Sequence, residues 1–333
     1  MAQEKETIYL VDGSSYVHRA YHAIGNLSNS KGFPTNAILG FAKMTLKLIE
    51  ERKPKYMAVA FDAKGPNFRH KIYEKYKANR PPMPEDLQAQ IPYIRAFVEG
   101  LNVGLIEMAG YEADDILGTL ARMGEEKGLR VVIITGDKDF RQLISPDISL
   151  WDTMKDRFTD LEGFREEYGL EPGQVIDLMG LSGDASDNIP GVPGVGEKTA
   201  LTLIKMFSTL ENVFEHVEEA RGKKLQENLR NSRDKAVLSK RLVTIDRYVP
   251  IDKKIDDFKR GDPDVAKLTE MFRELEFRGL WDQFASRKEP EEKDYRLCLS
   301  REEILAVADE IREKRRVSLD TETTGTDPLK AEL

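Results

Sequence analysis

An α/β fold with a largely parallel sheet is predicted by three features of this sequence. Apolar runs of strand length alternate with helical patterns from residue 7 to about 135, the signature of parallel strands covered by helices on both faces. Four of those runs end near carboxylates: Ile8-Tyr-Leu-Val11 at Asp12, Tyr56-Met-Ala-Val-Ala-Phe61 at Asp62, Val103-Gly-Leu-Ile-Glu107 ahead of Glu112, Asp114 and Asp115, and Val131-Val-Ile-Ile134 ahead of Asp137 and Asp139. After Trp151 the texture changes to helices and turns, through about Leu280. The carboxyl ends of parallel strands form a binding edge, so acids recurring there predict one acidic site. Acids at a helix N-terminus also complement its dipole, each worth about 0.3–1 kcal/mol. That alternative covers one or two of them, not the recurrence.

In chain order, residues 7–11 read as the first strand and Ser14 as the cap of a short helix through Ala23. A helical pattern from Asn36 (Ile38, Phe41, Ala42, Leu46, Ile49) ends before Pro54, and residues 56–61 form the second strand. Asn67 to Lys77 predicts a helix with Phe68, Ile72 and Tyr76 on one side, broken by Pro81-Pro82-Met83-Pro84. A helix over about Glu85 to Glu99, a strand, an acidic helix and a strand follow, through Thr135. Residues 288–294 read as a linker, Arg301 to Lys314 as a helix and Val317-Ser-Leu319 as a strand.

The 333 residues can bury a large core and suggest more than one domain. No signal-peptide pattern opens the chain and no apolar run approaches the roughly 20 residues of a membrane span. The single cysteine, Cys298, permits no intrachain disulfide and no cysteine metal site. The expected setting is therefore the cytoplasm, with no membrane partner. Net charge is −8, yet two blocks are basic. Residues 64–80 carry six Lys/Arg against Glu74, and residues 221–241 carry eight against Glu227 and Asp234. Basic blocks on a chain with acidic strand ends suggest an anionic polymer lying over a metal site. Two solvated helix faces are the alternative.

Asp184 and Asp187, from Gly183-Asp-Ala-Ser-Asp-Asn188, extend the acid set to nine. So many carboxylates converge only if cations neutralise them or some stay protonated. With four histidines in the chain, the donors are hard oxygens, which select Mg²⁺ or Mn²⁺. Two such ions can activate water and stabilise a leaving oxygen in phosphodiester hydrolysis. On a regular helix Glu112 and Asp115 share a face, and Asp114 lies about 200° from Glu112, so Asp114 joins only if the first turn is irregular. Glycine-flanked Asp184 and Asp187 are alternatively turn formers. Gly191-Val-Pro-Gly194-Val-Gly196-Glu-Lys198-Thr199 leads into the pattern Leu201, Leu203, Ile204, Phe207. A glycine-rich turn feeding a helix can face phosphate with its amides. A P-loop needs Gly-Lys-Ser/Thr, whereas Glu197 precedes Lys198 and no strand precedes the turn. A helix–turn–helix clamp on a nucleic-acid backbone fits better than that, with an ordinary αα turn as the alternative. Near Tyr73 to Arg80, lysine and arginine can hold a phosphate while aromatics stack on an unpaired base. A solvated helix end is equally compatible.

Taken together, Asp12-Gly-Ser-Ser15, Phe61-Asp-Ala-Lys-Gly65, Tyr76-Lys-Ala-Asn-Arg-Pro-Pro-Met-Pro84, Glu112-Ala-Asp-Asp115, Thr135-Gly-Asp-Lys-Asp139 and Gly183-Asp-Ala-Ser-Asp-Asn-Ile-Pro-Gly-Val-Pro-Gly-Val-Gly196 resemble the 5′ nuclease domain of bacterial DNA polymerase I, of the flap endonuclease superfamily. The resemblance covers roughly residues 5–285. It implies a PIN-like nuclease domain over 1–170 with an arch at about 63–100, then a helical helix–three-turn–helix DNA-binding region over 171–287 with a bound K⁺. It implies two Mg²⁺ (or Mn²⁺) at Asp12, Asp62, Glu112, Asp114, Asp115, Asp137, Asp139, Asp184 and Asp187, with Lys77 and Arg80 catalytic at the scissile phosphate. Tyr76, Gly191, Gly194, Gly196, Lys198 and Thr199 become DNA contacts. The implied activity is 5′–3′ exonuclease and 5′-flap endonuclease, acting on DNA with a 5′ flap or 5′ end and on RNA primer, in primer removal and repair. A monomer is expected.

Beyond a linker at 288–295, Val317-Ser-Leu-Asp320-Thr-Glu322-Thr-Thr-Gly resembles the opening motif of a DEDD-type 3′–5′ exonuclease, the next domain of the same polymerase. Asp320 and Glu322 are metal ligands there by that resemblance. The later acids of the motif set are absent from the sequence, so residues 296–333 are expected to be the truncated start of such a domain, without proofreading activity.

Overall fold

Among the described residues (5–286, 296–314 and 317–318), the computed structural model holds one sheet. It comprises β1 (Thr7–Asp12), β2 (Tyr56–Ala60), β3 (Gly104–Ile106), β4 (Arg130–Ile134), β5 (Ile148–Asp152) and β6 (Arg157–Thr159). Their order is β3-β2-β1-β4-β5-β6, parallel except for the antiparallel β5–β6 pair. The chain runs outward from β1 to β3, then returns to the other side of β1 for β4. That reversal opens a crevice at the carboxyl ends of β1 and β4, where ligands bind in such sheets. Asp12 pairs in register with Ala60, and Val11 with Ile134, so the residues after all three strands emerge at one level. β5 and β6 are not foreseen from the sequence. β6 is only three residues long and leaves its one apolar residue, Phe158, exposed.

One face is covered by α1 (Gly13–Ala23) and α2 (Asn36–Arg52), which bury Tyr16, Val17, Ile38 and Phe41 with Val11 and Val59. Asp12, not Ser14, caps α1, because the strand passes straight into the helix. α3 (Phe68–Ile72) is far shorter than the helix predicted from Asn67 to Lys77. Tyr73 is extended, Lys77 takes a left-handed φ of 55°, and the Lys77 amide donates to the Asp187 carbonyl at 2.9 Å. A tertiary hydrogen bond overrides the local periodicity there. α4 (Glu85–Gly100) buries Leu87, Ile94, Phe97 and Val98 in the same layer. Within the segment expected to form the arch, residues 85–100 thus turn one face to the core.

α5 (Ala113–Glu126) covers the opposite face with Ile116, Leu117, Leu120 and Ala121. α6 (Leu161–Tyr168), α7 (Val175–Ser182), α8 (Glu197–Phe207), α9 (Leu210–Glu215), α10 (Lys223–Arg230) and α11 (Arg233–Val243) form the helical region. Leu181, Val192, Ile204 and Leu242 join the core beneath α5, so sheet and helical region share one apolar interior. α12 (Val265–Glu274) and α13 (Arg278–Ala285) return to the first face, where Phe272 packs on Phe97 with ring centroids 6.1 Å apart. Each such side chain contributes about 1.5–3 kcal/mol on full burial. The described residues through 286 thus belong to one compact unit.

Residues from 296 on belong to a second unit. It contains α14 (Arg301–Lys314), which buries none of its residues. The Glu303 carboxylate accepts the amides of Leu299 and Ser300 at 2.9 Å each and so closes the helix start. Val317 and Ser318 have no regular structure. The predicted linker at 288–295, Leu319 of the predicted strand, and Asp320 and Glu322 lie outside the described residues. Among the described residues no helix is long and apolar enough to cross a membrane.

Candidate active site

The strand ends and the turn after α7 enclose a polar basin of about 230 Å³. Asp12, Asp62, Glu112, Asp114, Asp137, Asp139 and Asp187 line it, together with Lys77 and Arg80. Each acid is placed by a local device. Asp12 accepts the Ser15 amide at 2.9 Å and the Thr135 hydroxyl at 3.0 Å. Asp62 accepts the Ala113 amide at 2.8 Å, tying the end of β2 to the start of α5. Asp137 accepts the Asp139 amide at 3.0 Å and caps the 3₁₀ turn after β4. Asp187 faces Lys77, at 3.7 Å, and Arg80.

The start of α5 corrects the helical-wheel expectation. Glu112 is the N-cap and is extended (φ −90°, ψ 161°), so the 100° step per residue does not hold across it. Glu112 and Asp114 therefore both face the basin. Asp115, predicted as a metal ligand, turns away. It is fully buried, accepts the Glu112 amide at 3.1 Å and the Asp246 amide at 2.9 Å, and pairs with both terminal nitrogens of Arg69 at 2.7 and 2.8 Å. Its lone pairs are committed. Asp184 also stands outside the basin wall, hydrogen-bonded by the Ser186 amide at 2.8 Å and paired with Lys138 at 2.9 Å. Its charge still reaches Asp139.

Two further expectations are corrected. Tyr76 is 4% exposed, so its ring cannot stack on a base. Instead its hydroxyl donates to Glu112 at 2.9 Å and to Asp187 at 3.3 Å. Gly191 is buried against Gly183: a Cβ on Gly191 would lie 2.4 Å from the Gly183 nitrogen. Its amide is spent on Ser239 Oγ at 3.0 Å, which leaves a structural role and no surface for DNA. Gly194 (φ 76°) is exposed at the turn, as are Gly196 and Lys198, with Thr199 half-buried. Gly196 is extended, with open space around its Cα, so conformation alone does not require glycine there.

Electrostatics show how closely the carboxylates crowd one another in the basin. Burial, then the charges of Asp62 and Asp137, push Asp12 up to about 7 against the Ser15 amide. Burial and the neighbouring carboxylates raise Asp114 and Asp139 well above the usual range. Burial followed by the charge of Glu112 raises the Tyr76 phenol, which stays protonated. Burial lowers Lys77, but Glu112 and Asp187 outweigh it and hold it charged. Oδ1 of Asp139 is buried without a hydrogen-bond partner. An all-oxygen donor set with an orphaned carboxylate oxygen fits a hard divalent ion. Among the described residues, no three of these acids form a ready-made coordination shell.

Residues that the sequence reading missed also line the basin: Ser14, Ser15 and His18, on one face of α1. The spacing of these polar residues just after Asp12 was a usable signal. Arg69 had none, being one cation of a basic block and yet 2% exposed. That block does not form one surface, since Arg69 is interior while Lys64, Lys71 and Lys75 are exposed. In the second block, Lys223, Lys224, Arg230, Arg233, Lys235 and Arg241 are all exposed, on α10 and α11.

Comparison with known proteins agrees with this architecture. Residues 7–169 match the family model of the 5′-3′ exonuclease N-terminal resolvase-like domain, and residues 170–266 that of the 5′-3′ exonuclease C-terminal SAM fold. A 5′-3′ exonuclease of Aquifex aeolicus is 38% identical over 275 residues, covering 83% of this chain and 94% of that protein. DNA polymerase I of Bacillus caldotenax is 43% identical over 294 residues, 87% of this chain but 33% of the relative. The chain thus spans about a third of the length of the polymerase relatives it matches. Among solved structures, the T5 5′-exonuclease with bound zinc superimposes with a TM-score of 0.62 at 19% identity, covering 85% of this chain and all of that one. The catalytic core of Rad2 in complex with DNA gives 0.58 at 17% identity, covering 85% and 92%. These likenesses speak for the fold: a PIN-like parallel-sheet domain followed by a helical region. With two family models meeting end to end at residue 170, the chain belongs to the 5′–3′ exonuclease family.

Proposed function

We propose that this chain is a divalent-metal-dependent, structure-specific 5′ nuclease. It hydrolyses a phosphodiester at a 5′ end or near the base of a 5′ flap, and serves primer removal and repair as the N-terminal part of a DNA polymerase I. The observation that carries the reading is the basin itself: six carboxylates at one sheet edge and Asp187 from the turn after α7, faced by Lys77 and Arg80. Asp12, Asp62, Glu112, Asp114, Asp137, Asp139 and Asp187 are the proposed ligands of two Mg²⁺ or Mn²⁺ ions. Bound there, such ions supply water activation and stabilisation of the leaving oxygen.

The chain's own residues supply the rest. Lys77 and Arg80 pair with Glu112 and Asp187 and so stand where a scissile phosphate would meet them. Lys77 and Arg80 would hold that phosphate with the acids engaged as metal ligands. The neutral Tyr76 hydroxyl orients Glu112 and Asp187. Gly194, Gly196, Lys198 and Thr199 present amides and donors at the start of α8 to the phosphates of duplex DNA, and this turn is where a K⁺ ion would be held, supplying positive charge toward the DNA backbone. The exposed cations of α10 and α11 extend the same track. RNA primer among the substrates, a monomeric state and a cytoplasmic setting complete the reading. The test is a labelled 5′-flap duplex incubated with and without Mg²⁺. Cleavage near the flap base only with Mg²⁺ is expected, and an inert chain would sink the reading.

A further inference from the structure

The basin leaves one buried charge without a part in the chemistry. Arg69 is 2% exposed, and all five of its N–H groups have acceptors. Nε donates to the Leu242 carbonyl at 2.8 Å and Nη2 to the Thr244 carbonyl at 2.9 Å. Nη1 and Nη2 grip the two oxygens of Asp115, and Nη1 also reaches Glu112 Oε2 at 3.1 Å. Asp115 in turn holds the amides of Glu112 and Asp246. One ion pair therefore joins α3, the first turn of α5 and segment 242–246, which leaves the basic helix α11.

The two oxygens of Glu112 are treated differently. Oε2 is held by Arg69 and by the Tyr76 hydroxyl. Oε1 takes Lys77, the residue set to meet the phosphate. Anchoring one oxygen fixes the direction in which the other is offered, as outer partners do for metal-ligating carboxylates.

We propose that Arg69 is a positioning residue. It sets the Glu112 carboxylate through Asp115 and the shared hydrogen bond, and it does so only while segment 242–246 is docked. The seating of the DNA-facing helix α11 and the geometry of the acid basin are thereby one mechanical unit. This inference rests on the proposed nuclease reading. A lysine has the charge but not the planar fork, so it cannot make these contacts together.

The test uses the full chain with Arg69→Lys, and with the neutral pair Arg69→Gln/Asp115→Asn, which removes both buried charges and guards against simple unfolding. Three quantities are read: single-turnover cleavage at saturating flap DNA, duplex affinity, and Mn²⁺ binding by calorimetry without DNA. Both variants should lose about 100-fold in rate, the scale of a misplacement near 1 Å, and about tenfold in Mn²⁺ affinity. Duplex affinity should fall by less than the cleavage rate does, and the Asp246 amide, which Asp115 accepts, should exchange hydrogen faster. A folded neutral pair that cleaves and binds Mn²⁺ like wild type would overturn the proposal, leaving Arg69 as structural glue. Should the wild type itself prove inert on DNA, the nuclease reading fails separately, and the Mn²⁺ titration still decides whether Arg69 sets the basin.

Discussion

Replacing Asp12 by Asn should stabilise the ion-free protein at neutral pH while destroying its response to Mg²⁺. Asp12 is 4% exposed, and burial with the charges of Asp62 and Asp137 raises it from 3.8 to about 7. A raised carboxylate favours the folded state most when protonated. Its contribution is fully present below about 3.8 and is lost as pH rises through about 7. The gap between those values, at about 1.36 kcal/mol per pH unit, amounts to about 4 kcal/mol. Asparagine keeps Oδ1 as the acceptor for the Ser15 amide and turns its NH₂ donor toward the Thr135 hydroxyl oxygen, and it has no charge to bury. In EDTA the variant and wild type should melt alike near pH 4, and the variant should gain as pH rises. At roughly 2–4 °C per kcal/mol for a domain of this size, it should melt up to about 10 °C higher at neutral pH and above. Excess Mg²⁺ should reverse the order by stabilising only the wild type strongly, since binding to the folded state adds stability by mass action. The assay is a set of thermal melts across pH, in EDTA and in Mg²⁺. A difference between the two proteins that does not grow with pH in EDTA would refute the argument that Asp12 is a carboxylate raised by burial and by its acidic neighbours.

Lys77→Ala should slow single-turnover cleavage at saturating flap DNA by at least about tenfold, or about 1.4 kcal/mol of barrier, with little loss of binding, because Lys77 points into the basin rather than along the basic surface. An unchanged rate would make it part of the surface only. Gly194→Val should strain a φ of 76° and weaken duplex binding, whereas Gly196→Ala should cost less, since Gly196 is extended in open space. Filter binding that shows equal losses would mean that close approach to DNA, not backbone conformation, governs both. Duplex affinity should fall steeply with salt despite the net charge of −8, each neutralised phosphate contributing about −0.9 to the log–log slope. A slope shallower than about −2 would remove the electrostatic role of α10 and α11.

The parallel sheet, the acidic edge and the glycine-rich entry to α8 were legible because each rests on spacing along the chain. Strand-length apolar runs ending in Asp12, Asp62 and Asp137 specify where those acids emerge, whatever the packing. The family motifs were legible for the same reason, as short contiguous strings. Asp115 and Tyr76 were misread because their environment comes from residues far away in sequence. Asp115 is claimed by Arg69 and by the Asp246 amide, and Tyr76 is sealed beneath Glu112 and Asp187. The predicted helix over Asn67 to Lys77 failed likewise, since a hydrogen bond from Lys77 to the Asp187 carbonyl outweighs local periodicity. The start of α5 shows the division most clearly. Sequence placed Glu112, Asp114 and Asp115 at a helix entrance, but the rotation of each depends on where the helix begins. The contact of Asp62 with the Ala113 amide and the grip of Arg69 on Asp115 set that point, and both are made across the fold.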